Sequence, residues 1–154
     1  MLATNRIDLG RFFIFVLLVV VFAFLQGEDI IFFKVKPNLV LAALVAFSFL
    51  IPDFISYLLL VLIGITVLKF QPGFSLDTLF LGIITTLHWF LMKFMSGRES
   101  VNLLIAVTMV TLVFYLVLQP SFIYQQPIIL ITEIFYNIAV AFFLRYFFKD
   151  ESRT

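Results

Sequence analysis

Asp77, His88 and Glu133 are ionisable side chains carried within long apolar runs, and with Lys69 and Asn137 they are the groups from which chemistry would have to be built. Hydrolysis by a carboxylate pair inside a membrane needs two acids at similar depth with a water between them, and Asp77 with Glu133 is the candidate pair. Neither sits in a protease motif: no Gly-Asp pair surrounds Asp77, and the Asn near Glu133 is Asn137. The chain holds no Gly-x-Ser-x-Gly elbow, no His-Glu-x-x-His and no Gly-x-Gly or Walker-type phosphate loop, its six Gly being scattered. Zero Cys and a single His remove disulfides, thiol chemistry and a histidine-rich metal cage. The expectation is a non-enzymatic chain with no cofactor.

The elements that carry these residues belong to a membrane protein. Of 154 residues 64% are hydrophobic and 12% charged, against about 25% charged in an average soluble domain. Ten basic and nine acidic side chains cannot cover a soluble core of this size. A net charge of +1 supplies no basic face for nucleic acid. Six apolar runs, 12–25, 38–51, 54–68, 74–92, 101–118 and 128–148, predict an all-α polytopic bundle of six transmembrane helices forming one domain. The first two are short for a crossing and must borrow flanking residues. Pro37 opens the second run, where its missing N–H costs nothing, and Pro52-Asp53 makes a tight break before the third. The first run follows Arg6 and Arg11 as a signal peptide would, but no small-x-small cleavage site comes after it.

An even number of spans puts both termini on one side. With the termini cytoplasmic, the inner segments hold Arg6, Arg11, Lys93, Arg98, Arg145, Lys149 and Arg153 and the outer loops Lys34, Lys36 and Lys69, seven against three. In that topology Lys69, Asp77 and Glu133 form an outer polar cluster. It is either an ion, substrate or partner contact, or a local neutralisation that lets the bundle pack. Glu133, Asn137, Ala141 and Arg145 recur every four residues on the sixth run, so that face points into protein. Thr108, Thr111 and Tyr115 form a hydroxyl stripe on the fifth run, and Thr78, Gly82, Thr85 and His88 one on the fourth. Asn38, Ala42 and Ala46 make a small-residue seam on the second, serving an internal helix or a separate subunit. The 22 Phe read as lipid-facing bulk, and Tyr57, Trp89, Tyr124 and Tyr146 as interfacial anchors.

At Lys36-Pro37-Asn38-Leu39-Val40-Leu41 the chain resembles the rod shape-determining protein MreD family, whose members place a basic residue, Pro and Asp or Asn before a Leu-rich helix. Gly64 in the third run and the loop Phe70-Gln71-Pro72-Gly73-Phe74 extend the likeness, which covers roughly Lys36 to Leu118. Where that family often has an Asp after the Gly, this chain has Val67, Leu68 and Lys69. The resemblance implies a scaffold subunit of the bacterial cell-elongation machinery in the inner membrane, with an MreC-like protein and RodA-type synthases as partners. Asn38, Ala42, Ala46, Lys69, Asp77, Glu133 and Asn137 are the contacts it points to. The chain is also similar to substrate-capture subunits of energy-coupling-factor vitamin transporters. They too are small six-helix bundles with an Ala-x-x-x-Ala seam, and that reading needs an outward pocket lined by groups such as Gln71, Asp77, Gln119, Tyr124, Gln125, Gln126 and Glu133.

Overall fold

The computed structural model describes residues 8–27, 35, 37–69 and 75–149, except for the side chain of Lys69. The described chain is helical: α1 (Leu9–Gly27), α2 (Leu39–Ser48), α3 (Phe54–Lys69), α4 (Leu76–Met92), α5 (Glu99–Leu118), α6 (Pro120–Gln125) and α7 (Pro127–Phe148). Three of these, α1, α5 and α7, are long and apolar enough to cross a membrane; α2, α3 and α4 are shorter apolar helices. The six predicted runs each contain a helix. The boundaries differ where local hydrogen bonding decides them. Ser48 ends α2 because the next residues close a tighter turn, Leu50 and Ile51 both donating to the Phe47 carbonyl. Glu99 and Ser100, read from sequence as a turn, instead open α5. The Gln119–Pro127 connection holds the unforeseen α6, with Pro120 in its first turn, where a missing N–H is tolerated.

The organising element is α2, which touches α1, α3, α4, α5 and α7. Every residue from Val40 to Ser48 is buried. A helix that is apolar all round has no wet face to present and belongs inside. Short polar devices hold its ends. The Asn38 side chain accepts from Leu41 N at 3.1 Å, capping the helix, while the Gln26 side chain at the end of α1 accepts from Val40 N at 3.1 Å. At the far end Trp89 Nε1 donates to the Ile51 carbonyl at 3.1 Å, satisfying the turn that follows α2.

Small residues set how closely the neighbours approach. A methyl added at Gly64 of α3 would lie 3.0 Å from Val19 of α1, and one at Gly82 of α4 only 2.1 Å from the Ile65 side chain of α3. These two glycines let α3 lie close against both α1 and α4. Asp53 then starts α3 by accepting from Ser56 N and Oγ at 2.9 and 2.7 Å, and the Pro52-Asp53 break forms as expected.

Two of the four predicted interfacial aromatics are core residues. Tyr57 is fully buried, its hydroxyl 3.2 and 3.1 Å from the carbonyls of Leu44 and Thr85, and Trp89 is buried beside it. Helical carbonyls on facing elements offer a buried ring its polar partner, so both fill the interior rather than the membrane surface. Tyr124 and Tyr146 point outward at 81% and 83% exposure.

Ala42 and Ala46 have no free surface, so a larger side chain at either must displace α2 or a neighbour. We expect Ala46→Leu to destabilise the protein by about 1–3 kcal/mol. Thermal unfolding in mild detergent checks this; an unchanged midpoint would contradict the enclosure of α2.

Candidate functional site

The polar side chains inside the bundle converge on the α5–α7 seam, and the sequence stripes explain why. Residues four apart on a helix share a face, so Glu133, Asn137, Ala141 and Arg145 form one edge of α7 and Thr111 and Tyr115 one edge of α5. The two helices pack antiparallel with these edges opposed. Tyr115 Oη donates to Glu133 Oε2 at 2.6 Å, and Asn137 Nδ2 donates to Thr111 Oγ1 at 3.3 Å. At the opposite end Arg145 pairs with Glu99. Three polar rungs thus fix the register between α5 and α7, with Ala141, fully buried, allowing close contact between the inner rungs and the outer one.

Glu133 is 1% exposed and Asn137 fully buried, and the α2 seam packs against the same helix. Both the Asn38 backbone N–H and the Asn137 amide approach the Glu133 carboxylate, but neither reaches normal hydrogen-bond geometry. Glu133 Oε1 and Asn137 Oδ1 stay without a partner. A buried carboxyl group that accepts from a hydroxyl on the facing helix is a polar node tying α7 to α5. It is a poor nucleophile site, because the reacting geometry would need a second acid or a base beside it. Asp77 is not that acid. It lies exposed in the first turn of α4, behind the Ser75 cap, and the Glu133 carboxylate accepts from Tyr115 instead.

The seven residues singled out from sequence therefore divide. Asn38, Glu133 and Asn137 come together; Ala42 and Ala46 line the same interior, so their seam serves the chain's own helices. Asp77 stands at the edge, and the Lys69 side chain lies outside the described residues, as do Lys34, Lys36 and Gln71. Tyr115 and Thr111 were visible only as a hydroxyl stripe, and their role as direct partners of α7 emerges from the packing. His88, on the fourth-run stripe, is buried beside Phe49 with Nε2 unpartnered, away from this node. Among the described residues no group of three or more His, Cys, Asp or Glu is placed to hold a metal.

Removing the Tyr115 hydroxyl leaves a buried carboxylate oxygen without its donor. Tyr115→Phe should lower stability by about 1.5–3 kcal/mol, the range for hydrogen bonds to charged groups. Thr111→Val should cost less, about 0.6–2 kcal/mol. A double-mutant cycle of Tyr115→Phe with Glu133→Gln, followed by thermal unfolding in detergent, should give a sub-additive sum, and strict additivity would show that the pair is not coupled. No family model, curated protein or solved structure matches this chain.

Proposed function

We propose that this chain is a non-enzymatic scaffold of the bacterial inner membrane, a six-span bundle with cytoplasmic termini that serves the cell-elongation machinery. The observation that carries the reading is how the interior is used. The bundle axis is occupied by α2, and the polar groups of α5 and α7 are turned toward each other. A chain so filled works through its outer surface, and there the described helices carry large apolar side chains such as Phe13, Leu17 and Phe24 on α1 and Ile83, Leu87 and Leu91 on α4. Such faces meet lipid or other membrane helices.

Three helices have the length for a crossing. In the six-span reading, α2 is completed by the buried approach through Val35 and Pro37 and the turn at 49–51, while α3 and α4 span where the bilayer is locally thin. The excess of Lys and Arg on the segments before α1, after α4 and after α7 supports cytoplasmic termini. The identity of the partners, an MreC-like protein and RodA-type synthases, rests on the resemblance of Lys36-Pro37-Asn38-Leu39-Val40-Leu41, in which Asn38 caps α2. The second reading, capture of a vitamin for an energy-coupling-factor transporter, draws on Glu133 Oε1 and Asn137 Oδ1, two buried acceptors still open to a donor.

Affinity purification of the tagged protein from its native membrane in mild detergent, with mass spectrometry of proteins and small molecules, separates the two. We expect an MreC-like protein and RodA-type synthases to co-purify. Recovery of a transporter membrane subunit with ATPases and a bound vitamin would overturn the scaffold reading.

A further inference from the structure

The end of the bundle where α5 begins and α7 finishes carries an excess of basic side chains among the described residues. Arg145 pairs with Glu99, at 16% and 49% side-chain exposure. Arg98 adjoins Glu99 in sequence and Lys149 follows Arg145 by four residues, so among the described residues three cations and one carboxylate lie at this corner. Arg98 and Lys149 are exposed, and among the described residues neither side chain makes a hydrogen bond or ion pair. The corner is also rimmed by hydrocarbon. Val101 of α5 is 50% exposed and Tyr146 and Phe147 of α7 are more so, and the outward apolar rows of both helices run away from this point.

We propose that the corner formed by Arg98, Arg145 and Lys149 binds the headgroup of an anionic phospholipid, whose acyl chains lie along the outer faces of α5 and α7. The proposal rests on the membrane reading but not on the identity of any protein partner. Its chemistry is amphipathic. A guanidinium presents a planar fork to phosphate oxygens and an ammonium adds a point charge, while the adjacent side chains offer hydrocarbon for the lipid tail. A soluble anion would use the first half of that arrangement and not the second. A nearby cation already serves another purpose: Lys93 at the end of α4 sits 3.8 Å from the centre of the Trp89 ring.

The test compares lipids retained by the intact protein after exchange into nanodiscs of mixed phosphatidylcholine and phosphatidylglycerol. Basic residues near a bilayer surface each favour anionic lipid by about 1 kcal/mol, and two unpaired ones should enrich phosphatidylglycerol up to roughly thirtyfold over its share of the mixture. The Arg98→Gln/Lys149→Gln variant should lose that enrichment, and the charge-conserving Arg98→Lys/Lys149→Arg variant should keep most of it. Equal retention of the two lipids by the unaltered protein overturns the proposal even if the Gln variant fails to fold. Enrichment that survives in a folded Gln variant overturns the assignment to this corner. Inorganic phosphate raising the melting temperature as much as phosphatidylglycerol does would make it a free-anion site and overturn the lipid. The partner purification is unaffected by any of these results.

Discussion

Everything in this fold depends on α2 being surrounded. A ten-residue helix of this composition is marginal alone, since a costly nucleus is repaid by few hydrogen bonds. Its stability comes from five neighbours that close on it from all sides. In a bilayer the hydrophobic effect does not drive that closure, because lipid tails are as apolar as leucine. Close packing and hydrogen bonds must do it. That explains the small residues at the approaches: Ala42, Ala43 and Ala46 on α2 and the glycines at 64 and 82 on its neighbours let many van der Waals contacts form at short range. It also explains why both ends of α2 are tied by side chains from elsewhere, Gln26 from α1 and Trp89 from α4.

With the axis filled, polar groups inside the bundle have one another as partners. The α5–α7 seam resolves this by alignment: hydroxyls on one helix, carboxyl and amide on the other, and an ion pair at the end where charge is tolerated. Placing Glu133 against the Tyr115 hydroxyl gives it a donor, so a group that costs about 2.5–3.5 kcal/mol to insert becomes a link between α5 and α7. A one-turn slip of α7 would break all three rungs together. Register between α5 and α7 is therefore specified by polarity as well as by packing.

Much of this was legible in the residues. The spacing of Glu133, Asn137 and Arg145 located the inward face of α7, and Thr111 with Tyr115 that of α5. Asn38 and Asp53 cap the helices that follow them, and Pro52-Asp53 is the tight break the sequence implies. What escaped were relations between elements. Ala42 and Ala46 look the same whether they face a partner or the chain's own interior, and only the position of α2 decides. Tyr57 and Trp89 were read as surface anchors because amphipathic rings favour the interface; backbone carbonyls of facing helices for Tyr57, and of the turn after α2 for Trp89, gave them polar partners in the interior. The hexapeptide α6 hid between two prolines, where turn chemistry and a helix start use the same residue.

The two ends of the bundle differ in kind, and that difference bears on function. At one end Glu133 and its donors are drawn inward, so the charge-bearing group is spent on holding helices. At the other, Arg98 and Lys149 stand outward with no partner among the described residues, beside aromatic side chains that face the surroundings. The inward groups Tyr115, Glu133, Thr111 and Asn137 join α5 to α7, while the side chains of Arg98 and Lys149 are exposed. On the scaffold reading proposed above, interior polarity sets the shape of the bundle and peripheral charge orients it against its surroundings.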